Sequence, residues 1–234
     1  MYEDKLETMV KKRTEDLSKA LSLINEMSNE MIMRLTKAAE SKEAGTGEHI
    51  MRIGMYAREI AKYLKMPEEF VELITFASPM HDIGKIGIPD NILLKKSSLT
   101  VEEFDIIKTH TIIGEKILSK STHPKIIMSA SIALNHHEKW DGSGYPRGLI
   151  GEQIPIEARI VMICDIYDAM RSMRPYKPAF DHKTTLKIIS EGDDRLKPYH
   201  FDLEILKAFL KIESIIESIF ESTYKKSKDS NLST

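Results

Sequence analysis

Residues 48–64 read EHIMRIGMYAREIAKYL, and Ile50, Ile53, Ala57, Ile60, Ala61 and Leu64 fall on one face at the period of an α-helix. The same period returns in both directions from this stretch. Pro67 starts a helix through Phe70, Leu73, Ile74 and Ala77. Thr100-Val101-Glu102-Glu103 is a capping box that opens a helix through Ile106, Ile107, His110 and Ile113. Pro124 opens another through Ile127 and Ile132 toward Leu134, and Pro155 one through Ala158, Val161 and Ile163 to Ala169. Asp181 can cap a helix over Leu186 to Ile189, and Leu203 to Phe220 reads as one or two closing helices. Residues 140–154, rich in Gly and Pro, are loop. No alternating strand pattern of convincing length occurs. The expected fold class is all-α.

Upstream, residues 6–39 contain neither Gly nor Pro. Val10, Leu17, Ile24, Met31 and Ala38 recur every seven residues, with Leu21 and Leu35 in the second seam position. That is the pattern of a parallel coiled coil, weakened by Thr14 and Ser28, and it implies a homodimer. The alternative is an amphipathic helix lying on the domain. An isolated helix of this length is poorly stable in water, so either arrangement needs a partner surface. The stretch from Leu6 to Leu17 also resembles linkers that join sensor domains to output domains in bacterial signalling proteins. The expected organisation is a linker helix over 1–39, a helical domain over 40–221 and a flexible polar tail over 222–234.

The 234 residues carry a net charge of −2, eight histidines and one cysteine. One cysteine excludes an intramolecular disulfide framework and a thiolate zinc site, which favours a reducing, cytoplasmic setting. The near-neutral balance argues against coating long nucleic acids. No apolar run approaches the ~18–20 residues of a membrane span, and the charged N-terminus is unlike a signal peptide.

The unusual residues gather at helix ends. His81 and Asp82 are adjacent and followed by glycines, so an imidazole and a carboxylate can point at one centre. His136 and His137 cannot share one helix face and must lie where a helix ends or face two surroundings. Asp165 and Asp168, three apart on an apolar helix, are costly there without a cation or a hydrogen-bond donor. Each signal alone has a bland reading. Together, with His49 and His110 also in apolar helices, they offer imidazole and carboxylate without thiolate, a donor set for Fe, Mn, Ni or Zn. Cys164 reads as a small core residue, and His123, His182 and His200 as surface or capping residues. Trp140 could stack on a base or anchor the glycine loop.

The strings HDIGKIGIPD (81–90) and HHEKWDGSGYPRGL (136–149) resemble the HD-GYP domain, a subgroup of the HD phosphohydrolase superfamily. The resemblance runs from about Ala38 to Leu210 and includes residues 48–52, 108–110, 158–160, 174–177 and 200–202. It implies an HD-type helical domain that hydrolyses cyclic di-GMP to the linear dinucleotide, in some members on to GMP, with some members preferring cyclic GMP-AMP. It places one metal on His81, Asp82 and Asp165 with help from His49. A second would sit on Asp82, His110, His136 and His137, so Asp82 bridges. Lys85 would meet the scissile phosphate, Tyr145 would hydrogen-bond or stack near the nucleotide, and Arg174 and Lys177 would hold phosphate oxygens or a guanine. Asp82 and Asp168 are counted with Lys85 as catalytic candidates, and Asp168 also as a substrate contact. Two divalent ions, two carboxylates and a hydroxide leave the site slightly positive, which favours an anionic phosphodiester.

One position departs from the pattern. Members with a third metal carry Glu four residues before the first motif histidine, where this chain has Gly45. Two metals, Fe or Mn before Ni or Zn, are therefore expected, with a third site absent or weakly filled. The same departure keeps a second function open, a receptor that binds a cyclic dinucleotide without hydrolysing it. A general HD phosphohydrolase is a third, disfavoured by the GYP loop and the Arg174–Lys177 segment.

Overall fold

The computed structural model describes residues 2–40, 42, 47–172 and 179–231. Eleven α-helices and short 3-10 turns are found among them, with no strand; an isolated bridge joins Asp141 to Ile150. The chain forms two units, residues 1–38 and 39–234. The first is most of α1 (Tyr2–Glu40), along which Val10, Leu17, Ile24 and Met31 are exposed. No described helix is long and apolar enough to cross a membrane.

In the second unit, α2 (Glu48–Tyr63) is central, with Ile53, Tyr56, Ala57, Ile60 and Ala61 fully buried. It packs against α3 (Glu68–Ala77), α8 (Ile156–Arg171), α10 (Leu203–Lys211) and α11 (Glu213–Asn231). Each fully buried isoleucine contributes about 2 kcal/mol, and the stripe read from the sequence is the one that α2 turns inward. On the other side of α3, α7 (Pro124–Asn135) meets α6 (His110–Leu118) and α8. Helix α4 (Asp90–Leu93) precedes α5 (Val101–Lys108), and α9 (His182–Glu191) follows α8.

The start signals act as their chemistry predicts. Glu103 N–H donates to Thr100 Oγ1 at 3.2 Å, and Thr100 N–H to Glu103 Oε2 at 2.8 Å, closing the capping box of α5 (Val101–Lys108). Asp181 Oδ1 accepts from Thr184 N–H at 2.7 Å and caps α9. The helix expected to run from Thr100 past His110, however, breaks at Thr109. Side chains take the last carbonyls of α5: Thr109 Oγ1 donates to Ile106 O, His110 Nδ1 to Ile107 O and Thr111 Oγ1 to Lys108 O. This break makes His110 the first residue of a new helix. The closing segment is two helices, divided at Ile212, and α11 continues past Ser222 into the polar stretch.

Gly84 shows how tightly the HDIGK segment is seated. A Cβ there would stand 1.9 Å from His110 O and 2.4 Å from Gly114 N, both backbone atoms of α6. Gly84→Ala is expected to destabilise the protein by about 3 kcal/mol and to part Asp82 from His110. The thermal midpoint and metal content of that variant check it; a near-native midpoint would show that the contact is not tight.

Candidate metal centre

All the candidate ligands but Asp165 sit where a helix begins or ends. His49 lies in the first turn of α2, and His81 and Asp82 follow a 3-10 turn (Ser78–Met80) that extends α3. His110 begins α6, while His136 and His137 come directly after α7. Asp165 is on α8. The helix-end position lets both consecutive histidines turn into one centre, as their adjacency requires.

The donors fall into two groups. Asp82, His110, His136 and His137 place one ligand atom each within 4.8 Å of one another, and His49, His81 and Asp165 do the same. Asp82 stands between the groups: Oδ2 lies 3.3 Å from His81 Nε2, and Oδ1 lies 3.2 Å from His110 Nε2 and 3.5 Å from His136 Nε2. The carboxylate expected to bridge therefore turns one oxygen to each pocket.

Hydrogen bonds behind the rings fix which nitrogen faces inward. Nδ1 of His81 meets Ser78 O at 3.0 Å, that of His110 meets Ile107 O at 2.7 Å, and that of His136 meets Ile132 O at 3.0 Å. A carbonyl only accepts, so each Nδ1 carries the proton and each neutral ring aims an Nε2 lone pair at the centre. His49 is oriented in the same way by a carboxylate, with Nδ1 2.7 Å from Asp168 Oδ2. Facing lone pairs result: the Nε2 atoms of His49 and His81 are 3.4 Å apart, and those of His110 and His136 are 3.5 Å apart. Such pairs repel unless a proton or a cation lies between them.

The electrostatics agree. Burial depresses His136 and His137, the latter well below its ordinary range with further help from His136 and His110, so both are neutral at neutral pH. Asp82 stays well below the usual carboxylate range despite burial, because Lys85 and His81 lie beside it. Burial would lower His81, but Asp82, Asp165 and Glu40 outweigh it and push His81 up to about 9. Three carboxylates acting on one imidazole make this a pocket that favours positive charge, which a proton or a metal ion can supply. Asp82 Oδ1 is buried with no hydrogen-bond partner. An orphaned carboxylate oxygen, facing imidazole lone pairs and a nitrogen–oxygen donor set together fit divalent first-row ions.

Three expectations change or narrow. Asp168, counted among the catalytic and substrate-binding candidates, is fully buried and committed to the protein. Arg52 donates to both of its oxygens, at 2.5 and 2.7 Å, and Tyr56 OH donates to Oδ1 at 3.1 Å. It is a positioning residue that orients His49. Lys85, assigned to the phosphate, pairs with Asp82 Oδ2 at 2.8 Å on the rim of the centre. Tyr145 lays its ring on His137, with centroids 4.7 Å apart and planes 30° apart, beside Phe104 and Lys108. Burial first, then Asp82 and Asp165, hold its hydroxyl well above its ordinary pKa, so it remains a donor. Arg174, Lys177 and Gly45 lie outside the described residues.

The other singled-out residues have structural work. Cys164 is buried in the core. Trp140 anchors the loop, its backbone N–H donating to His200 O and the Arg159 guanidinium lying over its ring. His182, expected at the surface or a cap, is buried between Tyr167 OH at 2.9 Å and Glu213 at the start of α11. The residues missed were Arg52, Tyr56 and Glu138. The first two continue the His49 face of α2 at i+3 and i+7, a spacing that could have flagged them. Glu138 accepts from the N–H groups of Arg147 and Leu149, fastening the GYP loop below the site.

An all-helical domain that gathers two imidazole–carboxylate pockets around one shared aspartate is arranged to hold a pair of divalent ions. The chain belongs to the HD domain family, whose model matches residues 5–202. It is 45% identical over 204 residues to a cyclic di-GMP phosphodiesterase of Thermotoga maritima, covering 87% of this chain and 53% of that protein. It is 41% identical over 200 residues to the cyclic di-GMP phosphodiesterase response regulator RpfG of Xanthomonas campestris, covering 86% and 52%. The chain thus spans about half the length of these curated relatives. Its fold matches the crystal structure of a cyclic GMP-AMP specific phosphodiesterase of Vibrio cholerae, with a TM-score of 0.56, 18% identity and coverage of 83% of this chain and 50% of that one.

Proposed function

We propose that this chain is a metal-dependent phosphodiesterase that opens cyclic di-GMP by hydrolysis, giving linear pGpG and, after a second hydrolysis, GMP. The observation that carries this reading is Asp82, with one oxygen turned to each of two pockets whose imidazole lone pairs face inward. The printed names of the relatives support the substrate class: cyclic di-GMP for most, and 3'3'-cGAMP for a Vibrio cholerae protein 36% identical over 189 residues.

His49, His81 and Asp165 would hold one divalent ion, and His110, His136 and His137 the other, with Asp82 shared. Fe or Mn suits this donor set best. When bound, the ions supply Lewis acidity toward the phosphate and make water nucleophilic at neutral pH. The protein's own groups do the rest. Asp168 keeps the His49 proton on Nδ1, and the carbonyls of Ser78, Ile107 and Ile132 do the same for the other three rings. Lys85 presents an ammonium at the rim, where transition-state charge on the phosphate develops. The Tyr145 hydroxyl, held protonated, is available to donate to the nucleotide. Arg174 and Lys177 complete the assignment as phosphate or guanine contacts. The exposed heptad positions of α1 suit pairing with a second copy of the chain, and its linker-like sequence suits an upstream sensor.

Chromatography of products from cyclic di-GMP, with protein loaded with Mn²⁺ or Fe²⁺, tests the reading. Linear dinucleotide is expected with metal and not without it; tight binding with no product would instead make the chain a receptor. Lys85→Ala should keep both metal equivalents and lower kcat by about 10²–10³, the scale of one removed charge-stabilising donor. Unchanged kinetics in that variant would remove Lys85 from the phosphate.

A further inference from the structure

Glu40 is the last residue of α1 and enters neither group of ligands above. Its Oε2 is closed off from solvent and hydrogen-bonded to nothing. Two residues on, Lys42 Nζ donates to Ile86 O at 3.1 Å and Ile88 O at 3.0 Å and pairs with Asp90 at 2.9 Å. These contacts fasten Lys42 to the segment that carries Asp82 and Lys85. Burial raises the Glu40 carboxyl above its ordinary pKa; His49, His81 and Lys85 pull it down, and Asp82 adds repulsion. A desolvated carboxylate oxygen without a donor is costly, and the repulsion of Asp82 adds to that cost. A cation resolves both problems at once.

Two of the groups that Glu40 feels, His49 and His81, belong to one pocket. His49, His81 and Asp165 give three atoms and Asp82 Oδ2 a fourth, which leaves positions open on an ion that prefers six. The chain also has Gly45 rather than a carboxylate four residues before His49. We propose that Glu40 is the additional carboxylate of the His49–His81–Asp165 pocket, binding its ion directly or through one bound water. The assignment rests on the two-pocket reading of the centre. With Glu40 included, two divalent ions, three carboxylates and Lys85 still leave the site positive toward a phosphodiester.

Metal-free full chain titrated with Mn²⁺, with free ion followed by its EPR signal, tests this. The wild type should take up two equivalents. Glu40→Gln should keep one at wild-type affinity and bind the other at least tenfold more weakly. Asp165→Ala is the comparison, because it should weaken the same equivalent. Metal-free Glu40→Gln should melt at or above the wild-type temperature, since it removes an unpaired charge. A Glu40→Gln protein that binds both equivalents as tightly as the wild type, or that melts lower or fails to fold, would overturn the assignment and give Glu40 a structural role. A wild type that binds no Mn²⁺ would instead overturn the two-pocket reading itself.

Discussion

Asp82→Ala is expected to abolish metal loading in both pockets and to reduce hydrolysis of cyclic di-GMP by about 10³-fold or more. Most ligands serve one pocket, so His137→Ala should weaken one equivalent and leave the other. Asp82 serves two, since Oδ1 faces His110 and His136 while Oδ2 faces His81. Its loss also leaves Lys85 and the imidazoles facing one another without the carboxylate that draws positive charge inward. Several kcal/mol of transition-state stabilisation by metal ions corresponds to a thousandfold or more in rate. Elemental analysis of Asp82→Ala checks the first part and single-turnover kinetics the second. Retention of one full equivalent would show that the aspartate belongs to one pocket alone.

The second large effect is on stability. Asp168→Asn should cost about 3–5 kcal/mol, because the Arg52 guanidinium is left buried without its carboxylate. The pH dependence follows from the direction of the Asp168 shift. Burial would raise this carboxyl, but hydrogen bonds from Arg52 and His49 and their charges hold it below the ordinary value of 3.8. A group depressed in the folded state stabilises above its unfolded pKa and loses that contribution as pH falls through the folded value. The wild type should therefore lose this stabilisation progressively below about pH 4, the unfolded range, and Asp168→Asn should lack that component. Urea unfolding of metal-free protein between pH 7 and pH 3 measures both. A difference at pH 7 below about 1 kcal/mol would contradict a buried pair of this kind. The same variant frees His49 from its orienting carboxylate and should weaken the adjoining pocket by about 10–100-fold.

The fold was readable because its helices are amphipathic and clearly started. Ile50, Ile53, Ala57 and Ile60 gave the central helix, and Pro67, Thr100, Pro124, Pro155 and Asp181 marked the beginnings of others. The break at Thr109 was hidden because it depends on three side chains turning back to carbonyls of the preceding turn, which leaves the apolar period undisturbed. The ligands were visible as residue types out of place in apolar helices. Their division between pockets came from the family resemblance, and the structure adds the backbone carbonyls that set each tautomer. Asp168 could not be told from Asp165 by sequence, since both lie on the same apolar helix. Arg52 and Tyr56, reaching from α2, separate the buried, paired carboxylate from the one left facing His49 and His81. Glu40 was silent for a related reason: its place is set by the end of α1, not by any local pattern.

The most direct measurement is the metal content of the anaerobically purified chain by elemental analysis. The account predicts two equivalents of a first-row divalent metal, both lost in Asp82→Ala. One equivalent or none in the wild type, or three held tightly, would contradict a pair of pockets joined by a single shared aspartate.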